Sequence, residues 1–186
     1  MKTGILTILL LTGTTVCLAG ETEEKEGLRA EVPAEVSAPD TYVKVGETVP
    51  DFTVEMFDGR KIRMSDLKGK VVWLNFWATW CPPCRAELKR VPEEVVKRFG
   101  GEADFVFLPI SRGETREQVE KFREQNGYTF AMGLDPEAQI FGLFAKQGIP
   151  RNFIIDRDGK IRVVEIGYTP AGFEELIGRV SELLQK

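Results

Sequence analysis

Histidine is absent from this sequence of 186 residues, and cysteine occurs only three times. The missing imidazole removes the usual general base and the commonest ligand for transition metals. A zinc site built on paired cysteines needs a second pair of Cys or His ligands, and the third cysteine, Cys17, lies near the start of the chain. The sequence therefore predicts no bound metal and no cofactor, and leaves Cys81 and Cys84 as the residues to explain.

The chain also lacks a basic patch. Its formal net charge of −4 is local, because residues 21–40 carry seven acidic and two basic side chains whereas residues 41–186 are neutral. Domains that bind nucleic acids ordinarily carry clustered lysine and arginine. Nucleic acid is therefore not an expected partner.

No hydrophobic run is long enough for a stable membrane span. A lysine at position 2, an apolar segment over residues 5–11 and the small residues after it have the layout of a secretory signal peptide. Residues 1–19 are predicted to be that peptide, cut before Gly20. The alternative is a lipoprotein leader that ends before Cys17, which then carries lipid. Both outcomes predict an exported protein of the periplasm or cell envelope, and the second predicts a lipid anchor in the membrane.

Residues 20–41 are acidic, contain two prolines and have few bulky apolar side chains. This composition is typical of a flexible linker. The remaining residues, 42–186, are enough for one domain with its own hydrophobic core. We expect this domain to act as a monomer.

The most informative stretch is residues 77–87, where Cys81 and Cys84 separate an apolar run from a helical pattern. The run, residues 71–77, is bulky and β-rich, which predicts a buried strand. Cys81 then falls at the N-cap of the helix and Pro82 at its first position, where a missing N–H costs nothing. Free N–H groups and the helix dipole stabilise a thiolate there. They lower the pKa of such a thiol from about 8.5 toward roughly 3.5–7.5.

Cys84 lies one turn further along and can close a redox-active disulfide with Cys81, so the pair predicts dithiol redox chemistry. A purely structural disulfide is one alternative, but so short a loop restrains little chain entropy. Copper binding by the two thiols is another, although the chain lacks the histidine that such sites commonly use.

Strands alternate with helices in the rest of the domain, which predicts an α/β fold with helices on both faces of a sheet. Residues 52–64 predict an N-terminal β-hairpin and residues 153–166 a second hairpin, each with a Gly-containing turn. A last helix is predicted to begin at Thr169. The helix after the cysteines is predicted over residues 85–99, with a kink at Pro92.

A strand and an inserted helix–strand–helix unit are predicted between the two hairpins. Residues 105–110 are an apolar run, which predicts a strand parallel to its neighbour that ends at Pro109. Thr115 and Gln118 form a capping box at the start of the first inserted helix. A short strand is expected over residues 128–132, and Asp135 followed by proline is expected to open a helix that carries residues 140, 141 and 144 on one face.

Two motifs resemble the thioredoxin superfamily. Residues 75–84 read Asn-Phe-Trp-Ala-Thr-Trp-Cys-Pro-Pro-Cys, and residues 148–150 read Gly-Ile-Pro. With the leading hairpin and the insertion, residues 42–186 are similar to the TlpA/ResA branch of exported thiol–disulfide reductases. The resemblance implies a thioredoxin-like fold with a central mixed sheet.

The same resemblance implies a set of supporting residues around the cysteine pair. The Ile149–Pro150 peptide bond is expected to be cis and to lie against the Cys81 sulfur, which leaves the Ile149 backbone free to pair with an extended substrate. Trp77 and Trp80 are expected to line the site and exclude water from it. The supporting residues are Trp80, Pro82, Pro83, Ile149, Pro150, Asn75 and Arg151.

Two of these positions depart from the family pattern. Asn75 stands where cytosolic thioredoxins have a buried aspartate, so the base for Cys84 is left unnamed. Arg151 and Asn152 follow the proline where the branch usually has small or hydroxyl residues. One interpretation of Arg151 is a cation that lies near Cys81 and stabilises its thiolate, or that binds an acidic partner. The other is a solvated arginine at the start of a strand.

The implied mechanism is thiol–disulfide exchange, in which the Cys81 thiolate attacks a substrate disulfide and Cys84 resolves the mixed disulfide. The implied partners are oxidised proteins outside the cytoplasm, with apocytochrome c as a candidate, and a membrane thiol donor that recharges the pair. A peroxiredoxin-type peroxidase would need proline and a hydroxyl residue where the chain has Leu74 and Ala78. An oxidase or isomerase on the same fold is a further alternative, which the reduction potential distinguishes.

Overall fold

The computed structural model describes residues 40–186. The predicted signal peptide, the lipidation candidate Cys17 and nearly all of the predicted linker lie outside the described residues. Within residues 40–186, no helix combines the length and apolarity that crossing a membrane requires.

A seven-stranded mixed sheet forms the centre of the domain. Its strands are β1 (Thr53–Met56), β2 (Lys61–Arg63), β3 (Val71–Trp77), β4 (Phe105–Arg112), β5 (Gly133–Asp135), β6 (Arg151–Ile155) and β7 (Ile161–Ile166). The α-helices are α1 (Pro82–Leu88), α2 (Lys97–Phe99), α3 (Arg116–Asn126) and α4 (Pro170–Leu184). The strand order is β2-β1-β5-β4-β3-β6-β7, with β3, β4 and β5 parallel and the outer pairs antiparallel. The predicted α/β fold with a central mixed sheet is confirmed.

The middle of the sheet is β3, and all seven of its residues are buried. Because alternate side chains of a strand point to opposite faces, β3 serves two cores. Trp73 and Trp77 pack into the core that includes side chains of α1, α3 and α4. Leu74 and Phe76 pack into the other core, which two short 3-10 helices cover, Met64–Leu67 and Phe141–Leu143.

Several local predictions are confirmed by the structure. Both hairpins form, β1 with β2 and β6 with β7. Thr115 and Gln118 make the reciprocal capping box of α3, and the helix ends at Gly127, whose φ of 65° suits a residue without a Cβ.

The predicted second half of the insertion is wrong. Residues 128–132 form no strand; Tyr128 and Phe130 fill the core instead, and the strand begins at Gly133. No α-helix forms over residues 136–145, where one was predicted to open at Asp135; Ala138 has a φ of 54°, outside the helical range. The Asp135 carboxylate instead accepts hydrogen bonds from the backbone N–H groups at the start of the 3-10 helix.

Two prolines change the predicted bounds. The strand β4 continues through Pro109 to Arg112, and it pairs with β5 only from Ile110 onward, so one edge of the strand is unpaired at the proline. The helix predicted over residues 85–99 is interrupted: α1 ends at Leu88, and Pro92 begins a π-helical segment, Pro92–Val96. A proline cannot donate the helical hydrogen bond, and its ring clashes with the carbonyl four residues earlier.

Candidate active site

The two cysteines lie where β3 gives way to α1. Cys81 is the N-cap of the helix, as predicted, and Pro82 and Pro83 occupy its first two positions. Cys81 and Cys84 form a disulfide with a Cα–Cα distance of 5.3 Å, and the Cys81 Sγ accepts a hydrogen bond from the Cys84 backbone N–H at 3.3 Å. Cys81 retains 3% exposure and Cys84 none, so Cys81 is the sulfur that a substrate can reach.

The loop before β6 lies against the Cys81 sulfur. The Ile149–Pro150 peptide bond is cis, as expected, and the Ile149 carbonyl oxygen lies 3.6 Å from the Cys81 Sγ. A disulfide sulfur carries no proton, so this approach is a contact in the oxidised form and a hydrogen bond in the thiol form. Trp80 is 63% exposed beside it, whereas Trp77 is buried and packs on the Phe122 ring.

A buried polar cluster lies beneath α1. Asn75 on β3 and Asn152 on β6 are paired across the sheet, and the Asn75 amide donates to the Asn152 side-chain oxygen at 2.8 Å. The Trp73 indole donates to the same oxygen at 2.7 Å. Both amide nitrogens reach Glu87 Oε1, from Asn152 at 2.7 Å and from Asn75 at 3.4 Å.

Glu87 is a buried carboxyl on the active-site helix. Its residue is 2% exposed, and burial raises the pKa of the carboxyl to about 8. The hydrogen bond from Asn152 opposes this shift, and the negative charge of Glu165 adds to it. Oε2 has no hydrogen-bond partner among the described residues, so it is the oxygen available to carry the proton. Glu87 lies three residues after Cys84, on the same side of α1.

The segment that leads to Cys81 is fixed by a second buried carboxylate. Glu114, 3% exposed, accepts hydrogen bonds from the Thr79 backbone N–H and hydroxyl and from the Ser111 hydroxyl. Ser111 is paired with Trp77 at the ends of β4 and β3. The Thr79 backbone is therefore tied to the sheet before the chain reaches the cysteine.

Arg151 is not solvated, and its hydrogen bonds go to the loop before Pro150 and to Thr41. It is 1% exposed, and its guanidinium donates to the carbonyls of Gln147 and Gly148 and to the Thr41 hydroxyl. The prediction of a solvated arginine is wrong because the side chain lies under the loop that precedes Pro150. Burial lowers the pKa of Arg151, and its contacts indicate that it braces this loop.

Sequence reasoning noted Asn152 as a departure from the family pattern but gave it no role, and it did not identify Glu87 or Glu114 as site residues. Glu87 had a signal, because a residue three positions after Cys84 shares its helix face. Nothing local showed that the carboxyl was buried, since its partners come from β3 and β6. Glu114 carried no local signal.

Comparison with known proteins agrees with this geometry. The family model described as AhpC/TSA matches residues 45–164. This chain belongs to the AhpC/TSA family. Thiol-disulfide oxidoreductase ResA from Geobacillus thermodenitrificans is 37% identical over 129 residues, which cover 68% of this chain and 72% of that protein. The Bacillus subtilis ResA is 30% identical over 167 residues, covering 90% and 84%.

A solved structure of a related protein has the same fold as this AhpC/TSA protein. The solution structure of a candidate protein disulfide isomerase from Bacteroides thetaiotaomicron superposes with a TM-score of 0.76 at 38% identity, covering 79% of this chain and 94% of that one. The chain is a thiol–disulfide oxidoreductase with a thioredoxin-like fold.

Proposed function

We propose that this protein reduces disulfides of proteins outside the cytoplasm, with Cys81 as the nucleophile and Cys84 as the resolving thiol. The observation that carries the proposal is the Cys81–Cys84 disulfide at the N-terminus of α1, with only Cys81 accessible and the Ile149–Pro150 loop against its sulfur. The helix terminus stabilises the Cys81 thiolate once the pair is reduced.

Substrate binding uses the loop beside Cys81. A proline at position 150 has no N–H, and the backbone at Ile149 is placed to pair with an extended segment of an oxidised protein, as in strand addition. Trp80 offers an exposed apolar surface next to the sulfur. The substrate disulfide is thereby held against Cys81.

The exchange then runs in two steps. The Cys81 thiolate attacks one sulfur of the substrate disulfide, forming a mixed disulfide and releasing the other sulfur as a thiolate. Cys84 gives its proton to the Glu87 carboxylate and attacks the Cys81 sulfur, which breaks the bond to the substrate. Glu87 thus fills the role of the base that Asn75 cannot play.

The setting of the reaction is also part of the proposal. The leader at residues 1–19 supports export to the periplasm or cell envelope, and Cys17 supports a lipid anchor. There a membrane thiol donor recharges the pair, and apocytochrome c is a candidate substrate. Two arms test this: cell fractionation of the wild type and of Cys17→Ser. Loss of membrane attachment in the variant supports the anchor, and wild-type protein in the cytoplasm contradicts export.

Trapping tests the reaction itself. Cys84→Ser cannot resolve a mixed disulfide, so we expect it to accumulate covalent adducts with exported proteins through Cys81, which reducing agent releases. Cys81→Ser is the matched control and should accumulate none. If Cys81→Ser formed the adducts and Cys84→Ser did not, the assignment of nucleophile and resolving thiol would be reversed.

A further inference from the structure

A row of polar side chains crosses the sheet from its centre to one edge. Asn75 on β3 is paired with Asn152 on β6, and Asn152 is paired in turn with Glu165 on β7, the edge strand. Directly paired residues of antiparallel strands point to the same face. Glu165 therefore lies one strand outward from the asparagine that holds Glu87.

Glu87 and Glu165 face the same cleft. The cleft, which Asn152, Thr169 and Phe173 also line, is too narrow to hold a water molecule. Without water between the two carboxyl groups, the charge of one is poorly screened and acts strongly on the other. Glu87, whose Oε2 has no hydrogen-bond partner among the described residues, and the half-buried Glu165 therefore line one cleft.

The charged group on α4 that acts on Glu165 is Glu175. Burial raises the pKa of Glu165, and the negative charge of Glu175 adds to this shift. Arg90 is bound to Glu94 and Glu174 and lies 4.4 Å over the Phe173 ring, so it is already paired. No ion pair joins Glu165 to a basic residue in the part of the chain that the structure describes. The charge of Glu165 is therefore not neutralised by an ion pair and can act on Glu87 across the cleft.

We propose that Glu165 is a positioning residue for the proton on Glu87: its carboxylate keeps that proton in place while Cys81 and Cys84 are joined. Glu165 is nearer to solvent than Glu87, so it ionises first, and a negative neighbour favours the neutral form of the inner carboxyl. This proposal rests on the function proposed above.

The proton on Glu87 moves to Cys84 and back once in each reaction cycle. When a donor thiolate attacks Cys81, a mixed disulfide forms as the Cys81–Cys84 bond breaks, and Cys84 leaves as a thiolate that takes the proton from Glu87. The donor's second thiolate then displaces Cys81 from the mixed disulfide, which leaves Cys81 as a thiolate and the donor as a disulfide. During substrate reduction Cys84 returns the proton to the Glu87 carboxylate and forms the bond to Cys81. Two electrons pass to the substrate, whose departing sulfurs take their protons from solvent.

Carboxyl carbon NMR titration of the oxidised full chain tests the proposal, with the Glu87 resonance assigned from its loss in Glu87→Gln. Glu165→Gln should lower the titration midpoint of Glu87 by on the order of one pH unit. Glu165→Asp keeps the charge and should stay near the wild type. Glu175→Gln, which removes an exposed carboxylate outside the cleft, should shift the midpoint less.

A second readout uses the reduced protein and dithiobis(nitrobenzoic acid). The first release of thionitrobenzoate reports attack by Cys81, and the second reports resolution by Cys84. In Glu165→Gln the acid limb of the second phase should move to lower pH, with the first phase unchanged, which also shows that the variant is folded.

The proposal is overturned if the Glu87 midpoint does not move in Glu165→Gln, or moves equally in Glu175→Gln. Failure of the proposed function has a different signature. In that case the wild type shows no fast first phase, or never releases the second thionitrobenzoate.

Discussion

At the residue scale, the site depends on a carboxyl held in an environment that favours its neutral form. Glu87 has a pKa of about 8 in the folded, oxidised protein, whereas an unfolded glutamate titrates near about 4.3. Between these two values the folded state binds the extra proton. The contribution of Glu87 to stability is therefore fully present below about pH 4.3 and is lost as the pH rises through about 8.

Replacing the carboxyl with an amide should remove this dependence. We expect the free energy of unfolding of oxidised wild type to fall more steeply between pH 5 and pH 8 than that of Glu87→Gln, because glutamine does not titrate. Urea unfolding at several pH values measures the difference. Parallel curves for the two proteins would show that the carboxyl is already ionised in the folded state at pH 5.

At the element scale, the N-terminal hairpin joins the sheet through the short strand β5. Gly133 is at this junction, where β1 and β4 approach from either side. A Cβ added there would lie 2.6 Å from Val54 Cγ2 and 3.3 Å from Ile110 Cγ1. Val54 is fully buried and β-branched, so it has little freedom to move away.

Gly133→Ala should therefore weaken the attachment of the hairpin. We expect a loss of about 1–3 kcal/mol in the free energy of unfolding, the usual cost of overpacking a core. Gly142→Ala is the matched control, because a Cβ there meets no atom within 4 Å, and it should change stability by less than about 0.5 kcal/mol. Equal stability of the two variants would contradict the claim that the space around Gly133 is too small for a Cβ.

The elements that the sequence predicted correctly are those that local rules determine. The N-cap at Cys81 and the capping box at Thr115 depend on residues within one turn. The failures depend on distant contacts. Ala138 adopts a positive φ where its own residue type predicts helix, and Glu87 and Arg151 are buried by partners from other strands and loops.

At the scale of the whole molecule, the start of the described chain is attached to the loop that faces Cys81. Asp40 accepts hydrogen bonds from the Lys146 backbone N–H and from the Gln147 side chain. The Thr41 hydroxyl accepts from Arg151 at 2.5 Å, and the Tyr42 backbone N–H donates to the Phe144 carbonyl at 2.8 Å. The segment 40–42 therefore helps to hold the residues just before Pro150.

Truncation separates this role from that of the preceding residues. A chain that begins at Asp40 keeps every contact described above, and we expect it to unfold like the longer chain. A chain that begins at Val43 loses all four of these hydrogen bonds, which should cost about 2–6 kcal/mol. One of the four is the bond from the Arg151 guanidinium to the Thr41 hydroxyl, so the loop before Pro150 is less firmly held. We therefore expect the shorter chain to reduce a protein disulfide more slowly while its reaction with a small disulfide is unchanged. Equal slowing with both substrates would place the effect on Cys81 itself rather than on the binding loop.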